Sequence, residues 1–275
     1  MSERAATLAF ADEVGTIREQ IARDIGPNNT ALRILQVLEG LEQRLREPLR
    51  LAIVGEGNSG KTSLANALIG QDVLIIDLLR NTRTSILVRH AEAPALYIVD
   101  ADGNRAAVTE KSFEGVQAGQ TYSLELCLPS DRLRELEIMD NPDLSAHPDG
   151  FIRLEHVLQQ ADLAIWCTLA TQAWKQSESS LWSAASQRIK PFSLLVATHA
   201  DALSDDDKGR LLQRLQRDAG AQFGDIVTIS LGAPRTEPSG LGDFLIKLDA
   251  MLSRVNRRRL EAAKRVVRRI TLQIG

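Results

Sequence analysis

The first 48 residues carry apolar side chains at intervals of three and four positions, the spacing that lines one side of an α-helix. A break at Gly26-Pro27-Asn28-Asn29-Thr30 separates two such stripes, and Pro48 ends the second. The stripes consist of Phe10, Val14, Ile17 and Ile21, followed by Ile34, Leu38, Leu41 and Leu45. The pattern predicts two amphipathic helices.

From residue 49 onward, short β-branched and leucine-rich runs alternate with helical stretches. The runs predict strands at residues 49–54, 85–88, 136–139, 163–168, 193–198 and 226–230. Helices are predicted at 61–69, 150–160, 176–188 and 205–218, and a hairpin is predicted around Asp102-Gly103-Asn104, joining 95–99 to 105–108. This alternation predicts an α/β fold in which helices cover both faces of a mostly parallel sheet.

A last amphipathic helix is predicted at residues 240–273. Three apolar stripes of this kind are best buried against one another, so the terminal helices are expected to form a small bundle beside the sheet. The predicted domains are the N-terminal helices at 1–48, the sheet domain at 49–238 and the basic C-terminal helix at 239–275.

The composition is that of a folded globular chain. Of the 275 residues, 44% are apolar and 25% are charged. Two cysteines are too few for a disulfide framework or a zinc site, which favours a reducing compartment. No secretory signal is recognisable, and nowhere do about 18 apolar residues follow one another. We therefore expect a cytoplasmic protein.

The net charge of −3 is unevenly distributed. From Leu252 to the C-terminus, eight Lys and Arg residues stand against one acid, Glu261. The final helix is therefore basic. A basic helix face is most often simply solvated; contact with anionic lipid headgroups is the main alternative, followed by nucleic acid or an acidic protein.

One segment carries a specific chemical signal. Residues 55–62 have the spacing GxxxxGK[ST] and stand between a predicted strand and a predicted helix. Glycines let the backbone turn its amide groups towards a phosphate, while the helix offers its positive end. Lys61 would reach the phosphates and Thr62 would bind Mg²⁺. The predicted phosphate loop comprises Gly55, Glu56, Gly57, Asn58, Ser59, Gly60, Lys61, Thr62 and Ser63.

Four further polar segments follow in the order that a GTPase requires. They are Asn81-Thr82-Arg83-Thr84, Asp140-Asn141-Pro142-Asp143, Thr198-His199-Ala200-Asp201 and Ser230-Leu231-Gly232. The first follows the helix of the phosphate loop, and each of the others follows a predicted strand. Their combination favours GTP over ATP.

Together these stretches resemble the bacterial dynamin-like GTPases. "LRLAIVGEGNSGKTSLANALIG" is similar to that family's first strand, P-loop and helix, and "LLRNTRTSIL" to its Thr-Arg switch. "IMDNPDL" resembles its DTPG segment, "VATHADAL" its TKxD segment and "ADLAIWCTLATQAW" its fourth strand and following loop. The resemblance covers about residues 49–235. It implies a P-loop GTPase-type sheet with helical flanks, GTP or GDP as ligand, and Mg²⁺.

The resemblance also implies roles for single residues. Thr82, with Thr84 as the alternative, would bind Mg²⁺ and place a carbonyl near the attacking water, while Asp140 would hold Mg²⁺ through a water. The implied catalytic residues are Lys61, Thr62, Thr82 and Asp140, of which Thr62, Thr82 and Asp140 are the metal-site residues. The guanine site would consist of Thr198, His199, Asp201, Ser230, Leu231 and Gly232, and the Asp201 carboxylate would accept from the base.

Three positions need separate interpretation. Asp143 stands where the family has a glycine near the γ-phosphate, and its negative charge is expected to slow hydrolysis. His199 stands where the family has a lysine, whose alkyl stem lies over the P-loop. An imidazole can stack in the same place. Asn58 resembles a K⁺ ligand of potassium-activated bacterial GTPases, or it simply suits a tight loop.

The expected function is a slow GTPase activated by self-association, as a homo- or heterodimer formed through the nucleotide face. The alternative is a nucleotide-dependent scaffold or switch that binds GTP or GDP with little hydrolysis because of Asp143. Peripheral contact with an anionic membrane through the C-terminal helix is kept open, and nucleic acid is not the expected partner.

Overall fold

The computed structural model describes residues 2–24, 29–74, 85–100, 102–108, 123–141, 149–232 and 240–274. The chain divides into two compact units. We call residues 1–48 with 249–275 the helical unit, and residues 49–248 the sheet unit.

Helices and strands of the described residues are numbered in chain order. They are α1 (Glu3–Asp24), α2 (Asn29–Arg46), β1 (Leu49–Gly55), α3 (Lys61–Ile69), β2 (Ile86–His90), β3 (Ala95–Val99), β4 (Arg105–Ala107), β5 (Ser123–Leu128), β6 (Leu136–Asp140), α4 (Gly150–Gln160), β7 (Leu163–Leu169), α5 (Gln176–Trp182), β8 (Ser193–Thr198), α6 (Asp205–Ala219), β9 (Asp225–Thr228) and α7 (Leu241–Ile274). Short 3-10 turns lie between several of them.

The helical unit is built from α1, α2 and the part of α7 after residue 248. Its core is a cluster of buried apolar side chains: Ala11, Val14, Ile21, Leu38, Leu45, Ala263, Val267 and Ile270. The other predicted stripe residues, Phe10, Ile17, Ile34 and Leu41, pack against this cluster. Polar contacts join the same helices, since Arg257 pairs with Glu3 at 2.8 Å. The predicted helical bundle is confirmed.

The sheet unit contains a sheet of nine described strands in the order β4-β3-β5-β2-β6-β1-β7-β8-β9. From β6 to β9 all neighbouring pairs are parallel, which confirms the predicted mostly parallel architecture. Beyond β6, β2 pairs antiparallel with β6, and β3 pairs antiparallel with both β4 and β5. The predicted hairpin is β3–β4, closed where Asp100 N–H donates to the carbonyl of Asn104 at 3.1 Å.

Besides shifts of one or two residues at the ends of several elements, two local features differ from the sequence-based predictions. β5 was not predicted, because its centre carries Glu125, whose carboxylate is buried and pairs with Arg89 and Arg105. α5 ends at Trp182 rather than at 188, and residues 183–192 continue as turns that include the 3-10 helix Lys190–Phe192. After Trp182 the backbone amides of Ala184 and Ala185 donate three residues back, to the carbonyls of Leu181 at 3.1 Å and Trp182 at 2.9 Å, so the chain tightens into turns and the α-helix does not continue.

The parallel strands determine where polar segments can meet. In the parallel register, Ile53 lies beside Asp140, Gly55 beside Cys167, and Leu169 beside Thr198. The carboxyl ends of β1, β6, β7 and β8 therefore lie along one edge of the sheet. In open α/β folds this edge is the usual position of a ligand site.

Candidate functional site

The loop between β1 and α3 has a backbone shape that requires two of its glycines, Gly55 and Gly60. At Gly55 the φ angle is 148°, and a side-chain carbon would lie 2.3 Å from the carbonyl oxygen of Cys167. At Gly60 the φ angle is 80°, and a side-chain carbon would contact Thr198 at 3.3 Å. Larger residues are therefore disfavoured by conformation and by space. The loop lies directly against the ends of β7 and β8.

Lys61 begins α3, and its side chain turns back into this loop. Its Nζ donates to the carbonyl oxygens of Gly55 at 3.0 Å and Glu56 at 2.6 Å, and the residue is only 8% exposed. Ser59 also donates to the Glu56 carbonyl, from its hydroxyl at 2.8 Å. A buried ammonium at the positive end of a helix concentrates positive charge beside the loop. This arrangement can bind an anion such as phosphate.

Thr62 and Asp140 come together at the same edge. The Thr62 hydroxyl donates to Asp140 Oδ2 at 3.1 Å. The other carboxylate oxygen, Oδ1, is buried and has no hydrogen-bond partner among the described residues. Burial raises the pKa of Asp140 to about 6, although the Thr62 hydroxyl, the Lys61 charge and the backbone amide of Asn141 oppose the increase. A hydroxyl beside a partly unsatisfied carboxylate is the oxygen chemistry that Mg²⁺ prefers.

Asn141 is a site residue that sequence reasoning missed. It is buried directly after β6, and its Nδ2 donates to the carbonyl of Met139 at 3.1 Å and to that of Ile53 at 3.4 Å. Its Oδ1 accepts from the Ser85 hydroxyl at 2.9 Å. The amide thus connects the ends of β1 and β6 to the start of β2, and it fixes the chain immediately after Asp140. The sequence signal that could have identified Asn141 was its position between two predicted site residues, Asp140 and Asp143.

Thr198 connects the phosphate loop to the neighbouring strands. Its hydroxyl lies 2.9 Å from the carbonyl of Ser59 and 3.1 Å from that of Thr168, and it can donate to either. The residue is 1% exposed. Thr198 was predicted to contact nucleotide, yet its hydroxyl is engaged within the protein, where it supports the loop.

The residues predicted to bind the base lie beyond Thr198. His199 adopts a left-handed conformation with φ 54°, and both His199 and Asp201 are exposed. The amide of Ala200 donates to the carbonyl of Ile229 at 3.1 Å. That bond holds this segment beside the next loop, in which Ser230 is buried, Leu231 is half-buried and Gly232 is exposed. The two predicted base-binding segments are therefore adjacent.

Some predicted residues lie outside the described part of the chain. They are Thr82, Thr84 and Asp143. Around the sites that are described, no group of three or more His, Cys, Asp or Glu side chains could hold a metal. In the described ranges, no helix is both long and apolar enough to cross a membrane.

Two known bacterial proteins resemble this chain in sequence. "Dynamin-like protein 2" of Campylobacter jejuni is 25% identical over 224 residues, which cover 77% of this chain and 37% of that protein. The "isoniazid-induced protein IniC" of Mycobacterium tuberculosis is 31% identical over 116 residues, covering 40% of this chain and 24% of that protein. The chain thus spans well under half the length of these relatives.

A solved structure shares the fold over most of the chain. It is an oligomerised bacterial dynamin pair, described as a mechanism for long-range sensing and tethering of membranes. Its TM-score is 0.63 at 18% identity, and the match covers 90% of this chain and 42% of that one. The model of the dynamin family matches residues 51–200, which is more than half of the sequence. This chain is a member of the dynamin family.

Proposed function

We propose that the chain binds guanine nucleotide with Mg²⁺ at the carboxyl edge of the sheet and hydrolyses GTP slowly, with activation by self-association. The observation that carries the proposal is the convergence of the Lys61 ammonium and the Thr62–Asp140 pair on one glycine-dependent loop. Family membership adds support from an independent direction.

The phosphates would be bound by the loop from Gly55 to Ser63. Its amide groups and the start of α3 supply hydrogen-bond donors, and Lys61 would exchange its bonds to loop carbonyls for bonds to phosphate oxygens. Mg²⁺ would be held by Thr62 directly and by Asp140 through water, satisfying the buried Oδ1. When bound, the ion supplies charge neutralisation at the phosphates. Thr82 is proposed as its third protein partner.

The base would be bound by the two adjacent segments. Asp201 is exposed and therefore available to accept from the guanine N–H groups, and Ser230 to Gly232 would provide the neighbouring wall together with His199. A carboxylate disfavours adenine because adenine presents a hydrogen-bond acceptor at the position where guanine presents a donor.

A potassium ion beside the phosphates is proposed through Asn58. The side chain is exposed at the tip of the phosphate loop, and the backbone there has φ 59°. Asparagine tolerates this conformation better than most residues, so loop geometry alone accounts for its presence equally well. Replacing Na⁺ by K⁺ in the turnover assay separates the two interpretations, since a loop role predicts no difference.

Self-association is proposed through the nucleotide face, and the test is steady-state GTP turnover over a wide range of protein concentration. Turnover per molecule that rises with concentration, and that is absent from Lys61→Ala, supports the proposal. The second candidate is a nucleotide-dependent scaffold with little hydrolysis, which Asp143 favours. A rate that stays at background at every concentration, with GTP bound, would select the scaffold.

Peripheral contact with an anionic membrane is proposed for the basic face of α7. Arg265, Arg268 and Arg269 are exposed there, whereas Lys264 is paired with Glu261 at 3.1 Å. Each basic residue near an anionic surface contributes about 1 kcal/mol of attraction. Sedimentation with anionic vesicles at low and physiological salt tests this contact, and recovery in the supernatant at both salts would contradict it.

A further inference from the structure

Glu178 is a buried carboxylate that the proposed nucleotide chemistry does not use. It lies in the first turn of α5 and is 2% exposed. Its Oε1 accepts from the indole Nε1 of Trp166 at 3.2 Å. Its Oε2 accepts from the Thr168 hydroxyl and from the backbone amide of Lys175, both at 2.9 Å. An ionised carboxylate tolerates burial only with such a set of donors.

One arm of this network leads to the phosphate loop through the strand ends. The carbonyl of Thr168 is 3.1 Å from the Thr198 hydroxyl, which is also 2.9 Å from the carbonyl of Ser59. The single Thr198 hydroxyl hydrogen can be donated to only one of these carbonyls at a time, so the two threonines connect Glu178 to the loop by close polar contacts rather than by an unbroken chain of hydrogen bonds. Networks of this kind inside a protein tend to be mutually reinforcing because the surroundings are weakly polarisable.

A second arm leads to the loop through the turn before α5. Trp174 adopts a left-handed conformation with φ 61°, and its amide donates to the Thr168 hydroxyl at 3.2 Å. The Trp174 ring packs edge-on against Trp166 and Phe223, at 6.3 Å and 5.2 Å between ring centroids. These contacts hold a strained turn in place. Lys175 follows directly, and its Nζ lies 3.4 Å from Glu56 Oε2 in the phosphate loop.

We propose that Glu178 is a positioning residue for the phosphate loop, acting through Thr168 and Thr198 on Ser59, and through Lys175 on Glu56. The inference rests on the proposed nucleotide binding. Glu178 does not touch the ligand; it sets the shape of the loop that does. Because the loop surrounds the phosphates shared by GDP and GTP, loss of Glu178 should weaken both nucleotides by the same factor.

Glu178→Gln is the direct variant, because it preserves size and removes the charge. The amide has only one acceptor oxygen, so its NH₂ end must face either Trp166 or the Thr168–Lys175 donors. We expect about tenfold weaker affinity for both GDP and GTP. Thr168→Val, which deletes the linking hydroxyl, should act in the same direction, whereas Thr168→Ser should stay within about twofold of the wild type.

Glu125→Gln is the matched control. Glu125 is also a buried glutamate of the sheet unit with several donors, but it lies on β5, away from the phosphate loop, and pairs with Arg89 and Arg105. Its replacement should lower the melting temperature as Glu178→Gln does. Its nucleotide affinity should remain that of the wild type, which separates positioning from a general loss of stability.

The experiment is a fluorescence titration of the full chain and each variant with labelled GDP and GTP, alongside melting curves. The inference is supported if Glu178→Gln and Thr168→Val each lose the same factor of affinity for GDP and GTP. Thr168→Ser and Glu125→Gln should keep the affinity of the wild type. Wild-type affinity in Glu178→Gln, or a loss restricted to GTP, overturns it while leaving the proposed function intact. If Glu178→Gln does not fold, the two Thr168 variants decide. A wild-type chain that binds neither nucleotide overturns both.

Discussion

Asp140→Asn should stabilise the Mg²⁺-free, nucleotide-free protein while weakening Mg²⁺-dependent nucleotide binding. Two effects of opposite sign are expected because Asp140, the proposed Mg²⁺-site carboxylate, is buried with few hydrogen-bond donors around it. Asp140 is 5% exposed. Among the described side chains, only the Thr62 hydroxyl donates to its Oδ2, at 3.1 Å, and none donates to its Oδ1.

The magnitude follows from the pKa of Asp140. Burial raises it from the ordinary value of 3.8 to about 6. A raised carboxyl pKa means that the folded state binds the proton more tightly than the unfolded chain does. The ionised form therefore destabilises the fold above pH 6, by up to about 3 kcal/mol, and the penalty disappears as the pH falls towards 4. Asparagine removes the charge but leaves a buried amide imperfectly paired, so we expect a gain of about 1–2 kcal/mol at pH 8.

The assay is thermal unfolding in EDTA at pH 8 and at pH 5. For a unit of this size, the gain corresponds to an increase in Tm of roughly 2–8 °C at pH 8, and to less at pH 5. Asp201→Asn is the control, because that carboxylate is exposed and its replacement should leave Tm unchanged. A lower Tm for Asp140→Asn at pH 8, or a gain that grows on acidification, would refute the argument.

Three further predictions use other parts of the chain. Asp201→Asn should move preference from guanine towards xanthine nucleotides, because the amide presents a donor where the carboxylate accepts; unchanged GTP affinity would remove Asp201 from the base site. Asp143→Gly should raise GTP turnover at least about tenfold, which needs only ~1.4 kcal/mol of barrier; a slower variant would make Asp143 part of the mechanism. Deletion of residues 1–48 should cause aggregation or a lower Tm, because those helices cover Ala263, Val267 and Ile270; a monomeric deletion variant with the wild-type Tm would show that this packing does not stabilise the chain.

Features with local or periodic signals were predictable from sequence. The helix Lys61–Ile69 and the strand Ser193–Thr198 have the predicted bounds, because a glycine loop and a leucine-rich run mark their ends directly. The terminal helices were predictable from their stripes, whose residues Val14 and Leu38 are fully buried. The resemblance drawn from the polar segments is confirmed by the match to the dynamin family.

Features that depend on distant partners were not predictable. β2 pairs antiparallel with β6, although many residues separate the two strands along the chain. No local sequence pattern encodes the relative direction of two such distant strands. Asn141 and Glu178 are polar residues in segments where turn or surface roles are the ordinary expectation. Their buried positions depend on the donors that folding brings to them, such as Ser85 for Asn141 and Trp166 for Glu178.

The central claim is guanine-nucleotide binding at the phosphate loop, and an equilibrium titration of the full chain with labelled GTP and ATP in Mg²⁺ tests it most directly. We predict saturable GTP binding, ATP binding that is weaker by at least about a hundredfold, and loss of both in a Lys61→Ala variant that keeps its fold. Equal affinity for ATP and GTP, or wild-type GTP binding by Lys61→Ala, would contradict the account.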